Sequence, residues 1–198
     1  MQFTLSLPSW VDDEFAKLPV ALPRLEDRMD AVIRFSALNL RHQTGGPFAA
    51  GVFEAQTGRP VVIGVNRVMA HGCSSAHAEV MALSVAQKLL GTWDLGARDR
   101  PAYQLVVNWR PCAMCYGAVL WSGVRSLVIA GHGPELEALT GFDEGPIHPQ
   151  WDHELRRRGI EVVSNVQTAQ ALEVFREFAD SGAVVYNGRG GNPGTPTG

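Results

Sequence analysis

His77-Ala78-Glu79 and, further along, Pro111-Cys112-Ala113-Met114-Cys115 decide how this chain is read, because each opens a run of helix-forming residues. Residues 78–90 contain no proline or glycine, are closed by Gly91, and have Ser74 and Ser75 placed to cap their start. Residues 112–121 form a second helical run, with Pro111 suited to its opening turn, where a missing amide hydrogen costs nothing. Working outward, Leu25, Met29, Val32, Ile33 and Leu40 recur at helical spacing, which predicts a helix over 25–41 ended by Gly45 and Gly46. Residues 48–55 and 61–66 read as the strands of a hairpin turned through 56–60. Further strands are expected at 105–107, 127–130 and 160–163, and a last helix at 168–179. Helix, hairpin, then strands alternating with helices predicts a layered α/β domain with helices on both faces of one sheet.

The 198 residues are 45% hydrophobic, enough for one domain with a substantial core. Residues 1–23 hold three prolines and no sustained period, and read as an arm over that domain. Residues 24–186 form the domain itself. Residues 187–198, with five glycines and two prolines, cannot bury enough apolar surface to fold and read as a flexible tail. The 17 basic and 20 acidic residues give a formal charge of −3, which argues against a nucleic-acid partner. No basic region followed by an apolar run opens the chain, and no apolar stretch reaches the roughly 20 residues of a membrane helix. The expectation is a cytoplasmic protein. Its three cysteines, Cys73, Cys112 and Cys115, are an odd number that argues against a disulfide framework.

The two opening segments together match the zinc deaminase pattern of histidine, any residue, glutamate, then Pro-Cys-x-x-Cys. His77 and Glu79 are two apart and would diverge on the side of a regular helix. In a first turn, however, side chains lean back toward the N-terminus, so both can reach a point beyond the helix end. Cys112 and Cys115 are three apart and share a face. Two helix N-termini aimed at one place favour thiolates over thiols. One imidazole and two thiolates suit Zn²⁺, and three protein ligands leave a fourth tetrahedral position for water, as a catalytic site requires. Glu79, adjacent without being a ligand, can then take a proton from that water and deliver it to a leaving nitrogen. The plainer alternatives are a redox pair or a closed structural zinc knuckle with Cys73 as fourth ligand. Against a knuckle, Glu79 would then have no reason to sit where it does. Cys73 reads instead as a small buried hydrophobe, and Arg156, Arg157 and Arg158 as a solvated helix end.

On these motifs, and on Gly46-Pro47-Phe48, Gly64-Val65-Asn66, Gly117 to Trp121, Gly141-Phe142-Asp143-Glu144 and a phenylalanine-rich last helix before a terminal tyrosine, residues 25–186 resemble the guanine deaminase branch of the cytidine deaminase-like fold. The resemblance implies a three-layer α/β/α domain with a five-stranded mixed sheet, a homodimer, and hydrolysis of guanine to xanthine and ammonia. It implies zinc on His77, Cys112 and Cys115, proton shuttling by Glu79, and base recognition by Asn66 and the backbone of Ala78. Phe48 and Trp121 would line the pocket, and Glu144 or its neighbour Asp143 would supply a second carboxylate. Tyr186 would cap the partner's site in a dimer with exchanged C-termini. Arg110 departs from the glutamate that many relatives carry before the Pro-Cys pair. The alternatives on the same zinc motifs are a tRNA adenosine deaminase, against which stand the acidic balance and a last helix carrying Glu173, Arg176, Glu177 and Asp180 rather than a basic stripe, a cytosine or aminotriazine deaminase, and a non-catalytic zinc module.

Overall fold

A computed structural model describes residues 1–188; the rest of the expected tail lies outside the described residues. In chain order the elements are α1 (Trp10–Phe15), α2 (Leu25–Arg41), β1 (Ala49–Glu54), β2 (Pro60–Val65), α3 (Val68–His71), α4 (Ala78–Leu90), β3 (Tyr103–Val107), α5 (Ala113–Ser122), β4 (Ser126–Ile129), α6 (Glu135–Thr140), α7 (Trp151–Arg156), β5 (Glu161–Val163) and α8 (Thr168–Asp180). The strands form one sheet in the order β2-β1-β3-β4-β5. β1 runs antiparallel to β2 and β3, whereas β3, β4 and β5 run parallel, so the sheet is mixed.

The strands are short and apolar on both sides because both faces are covered. Along β3, Val106 joins α2 and α8 in one core, while Leu105 and Val107 join α4 and α5 in the other. That is the two-residue alternation of a strand with a helix layer on each side. The result is the expected three-layer arrangement. The parallel pair β3 and β4 is joined through α5, so the turn after Val107 delivers Pro111 and Cys112 to the C-terminal edge of the sheet, where open α/β sheets collect their sites.

One close approach and one polar network set the frame of that edge. A Cβ on Gly64 would stand 2.5 Å from the Ala82 nitrogen and 2.8 Å from the Ala78 carbonyl oxygen, so only glycine lets β2 meet the start of α4. A polar network ties the segment before β1 to the end of β3. Asn108 donates to the Pro47 carbonyl and accepts from the Ala49 amide, and Ser36 also donates to Pro47. The buried Asn39 carboxamide donates to the carbonyls of Gly46 and Asn66. Buried polar groups satisfied in this way fix a single arrangement of the loops around them.

The arm is more structured than its sequence suggests. It contains α1, whose Val11 is buried, and Leu7, Trp10, Phe15 and Leu18 pack on the α2 core. The triple arginine does end a helix in solvent, paired within it to Asp152 and Glu154.

Candidate active site

Helices α4 and α5 begin in the same unusual way. Their N-cap residues, His77 and Cys112, are extended, and neither makes the side-chain capping bond that serine, threonine or aspartate would supply. Ser74 and Ser75 do not cap α4: Ser74 lines the cavity below, and Ser75 meets the Cys73 thiol. Pro111 precedes the N-cap of α5 and does not open its first turn. Two helix ends without side-chain caps therefore turn their positive dipole ends toward one place.

That place is a metal-ligand constellation. The donor atoms of His77, Cys112 and Cys115 lie within 4.8 Å of one another, with both cysteines buried. The His77 Nδ1 to Cys112 Sγ separation is 3.5 Å. Zinc bonds of about 2.0 Å to nitrogen and 2.3 Å to sulfur at a tetrahedral angle place such atoms about 3.5 Å apart. The residues fit a zinc ion. Cys73 stands outside the set and is half-buried, paired only with Ser75, so neither a fourth ligand nor the expected buried packing describes it.

Among the protein charges alone, burial pushes the Glu79 carboxyl up to about 7, and the Cys112 thiolate adds to the rise. Cys112 is held down to about 4 by its hydrogen bond with Cys115, against burial, and then by His77. Cys115 is pushed up by the same bond and by burial, so the pair shares a proton that a cation would displace. At His77 burial is outweighed by the bond to Cys112 and the charge of Glu79, and the imidazole is raised.

Beside the triad lies a cavity of about 150 Å³. Phe48, Asn66, Ala78, Glu79, Asp143, Glu144 and Tyr186 all line it, so most of the residues singled out in the sequence meet there. Asn66 is buried, and its side-chain oxygen is committed to the Val68 amide, which leaves its amide hydrogens for the cavity. Glu144 and Asp143 divide clearly. The Asp143 side chain turns back onto the Gly145 amide, whereas the Glu144 carboxyl is raised to about 8 by burial and by the charges of Cys112 and Glu79. Of the two, Glu144 is the carboxylate that feels the charges of Cys112, Glu79 and His77.

Trp121 is not in the lining. It is 86% exposed near the C-terminal end of α5, away from the end that carries the cysteines, so its expected place in the pocket is corrected to the molecular surface. Within the chain, Tyr186 lies over the cavity. Its ring packs 4.7 Å from Phe142, and its hydroxyl is buried without a hydrogen-bond partner. Sequence reasoning missed Trp109, Phe142 and Asn187 as lining residues. The first two stood within or beside motifs already noted. Asn187, in contrast, opens a glycine-rich stretch that gave no signal.

Comparison with known proteins agrees with this geometry. Residues 25–131 match the family model of the cytidine and deoxycytidylate deaminase zinc-binding region. The chain is 31% identical over 138 residues to guanine deaminase of Bacillus subtilis (strain 168), covering 69% of this chain and 83% of that protein. Among solved structures, guanine deaminase from Nitrosomonas europaea gives a TM-score of 0.85 at 42% identity, covering 90% of this chain and 97% of that one. A further solved structure, a complex with 2,6-diaminopurine, gives a TM-score of 0.86 at 43% identity, covering 94% of this chain and 97% of that one. A zinc triad at two helix ends, a buried glutamate beside it and matches that span most of the chain lead to one conclusion: the chain belongs to the zinc-binding cytidine and deoxycytidylate deaminase family, and within it groups with the guanine deaminases.

Proposed function

We propose that this protein hydrolyses guanine with water to xanthine and ammonia, as a cytoplasmic homodimer serving purine catabolism. The observation that carries the reading is the small cavity in which Asn66, Glu79 and Glu144 converge beside the metal-ligand triad under aromatic walls. A void of roughly this size accepts one planar ring system. A ribose on the base would need as much space again, so a nucleoside should be the poorer substrate.

His77, Cys112 and Cys115 would hold zinc, which supplies, when bound, Lewis acidity that brings the ionisation of water toward neutral pH. The protein's own groups do the rest. Asn66 presents donors, which suits the carbonyl of guanine, and the Ala78 amide, at the first helical position of α4, is a second donor. Phe48 and Phe142 wall the ring and exclude water, which strengthens those bonds. Glu79 takes a proton from the attacking water and passes it to the amine nitrogen. Its burial beside the metal-ligand triad keeps that proton transfer away from bulk water. Glu144 accepts from the exocyclic amine and holds it in line for protonation. The carbon–nitrogen bond breaks, a carbon–oxygen bond replaces it, and ammonia leaves. The 2,6-diaminopurine bound in a solved relative supports this reading, since that purine also carries a ring amine.

An ammonia-release panel over guanine, cytosine, an aminotriazine, guanosine and tRNA tests the proposal. Guanine should lead by a wide margin. Equal rates on guanosine would contradict a site shaped for the free base, and inosine in the tRNA would move the activity to RNA editing.

A further inference from the structure

Residues 183–188 form a strap over the cavity. Among the described residues it is tied to the rest of the fold by few bonds. Tyr186 packs on Phe142, and the only hydrogen bonds that leave the strap for another element's loop come from one side chain, Asn187. Its Nδ2 donates to the Gly141 carbonyl at 2.8 Å, and its Oδ1 accepts from the Asp143 amide at 2.9 Å. A carboxamide is the side chain that can satisfy a carbonyl and an amide of one loop at once.

The loop so gripped is the one that carries Glu144. On its other side the Glu144 carbonyl accepts from the Ala113 amide at 2.9 Å, which is the first residue of α5, between the two metal-ligating cysteines. The loop thus has two anchors, one on the helix end that holds the metal and one on the strap. Its backbone turns through the left-handed region at Gly141 (φ 75°), and the strap leaves α8 through Gly182 (φ 67°). Neither glycine is crowded, so each is required for its backbone conformation rather than for space.

We infer that Asn187 is a positioning residue that locks the Glu144 loop to the strap bearing Tyr186, so that covering the base and placing the second carboxylate are one event. The inference rests on the proposed deamination only for what Glu144 does, not for the clamp itself. It also takes Asn187 out of the flexible tail expected over residues 187–198.

The test uses the zinc-loaded full chain, Asn187→Ala, Asn187→Asp, and chains ending at Gly188 and at Tyr186. Amide exchange at Asp143 should quicken at least about tenfold in Asn187→Ala, because its acceptor is gone. The kcat for guanine should fall about tenfold to a hundredfold, as for a reacting group misplaced by an ångström or so, with full zinc content and a smaller change in KM. Asn187→Asp keeps the acceptor for Asp143 but loses the donor to Gly141, and should fall between wild type and alanine on both readouts. The chain ending at Gly188 should match wild type, and the one ending at Tyr186 should behave as Asn187→Ala. Unchanged Asp143 exchange together with unchanged kcat in Asn187→Ala overturns the clamp, as does a loss that follows zinc content alone. If the wild type fails to release ammonia from guanine, the functional reading fails while the exchange measurement still judges the clamp.

Discussion

Glu79 sits where one atom's charge decides turnover: it is buried, it lies two residues from a metal ligand, and it is not a ligand itself. Glu79→Gln keeps the shape and removes the proton carrier, so zinc should remain stoichiometric while kcat falls by about 10² to 10⁴. Near-normal turnover in that variant would remove Glu79 from the chemistry. Cys112→Ala or Cys115→Ala should instead lose the metal, read by elemental analysis. Glu144 makes a different prediction, about stability. Burial raises its carboxyl to about 8, above the ordinary glutamate value that it regains on unfolding. Its contribution is therefore fully present below the unfolded value and is lost as pH rises through about 8. In chelator-treated protein Cys112, held low, works in the opposite direction over the same range, so the prediction is a difference: wild type should lose resistance to urea relative to Glu144→Gln from about pH 5 to about 8. A slope unchanged by the substitution would place the titrating charge elsewhere. At this scale the triad and Glu79 were legible because their spacing states a geometry. The choice between Asp143 and Glu144 was not, since neighbouring acids differ only in where a turn sends each side chain.

The elements that carry the site were also the most legible. Helices α2 and α4 span the residues that periodicity and a closing Gly91 assigned to them, because long amphipathic runs bury a continuous face. Of the short helices, α1, α3 and α6 escaped and α7 showed only as its arginine end, since six residues or fewer carry too little period to be told from a turn. What the sequence could not state is how closely elements approach. Gly64 stood in a motif without a reason, and the reason is the backbone of α4 at 2.5 Å from where a Cβ would be. Gly64→Ala should force α4 away from β2, costing about 1–3 kcal/mol as overpacking does. Because His77 and Glu79 ride on the moved helix end, zinc affinity and kcat should fall with Tm. Scanning calorimetry with a zinc titration checks this, and a wild-type Tm would show that the strand yields instead.

For the whole molecule, the surface left over after both sheet faces are covered points to self-association. Trp121 is 86%, Trp93 82% and Leu89 65% exposed, and the segments bearing the two tryptophans lie side by side, since the Leu95 amide donates to the Ser122 carbonyl at 2.9 Å. Large exposed apolar side chains near the C-terminal ends of packed α4 and α5 suit the contact face of the homodimer proposed above. Tryptophans of this size dominate interfaces when they are covered. A dimer through this face is therefore expected, with a mass of two chains by light scattering, and Trp121→Arg should shift it to monomer by burying an unpaired charge. The same variant separates two ways of closing the cavity. Tyr186 and Asn187 reach the site of their own chain, so the Trp121→Arg monomer should keep its kcat on guanine. If the C-termini are instead exchanged in the dimer, each site borrows its strap from the other chain, and activity should fall as the enzyme is diluted through its dissociation range. A monomer that is fully active and independent of dilution rules out exchange, whereas a Trp121→Arg protein that remains dimeric moves the interface to another face.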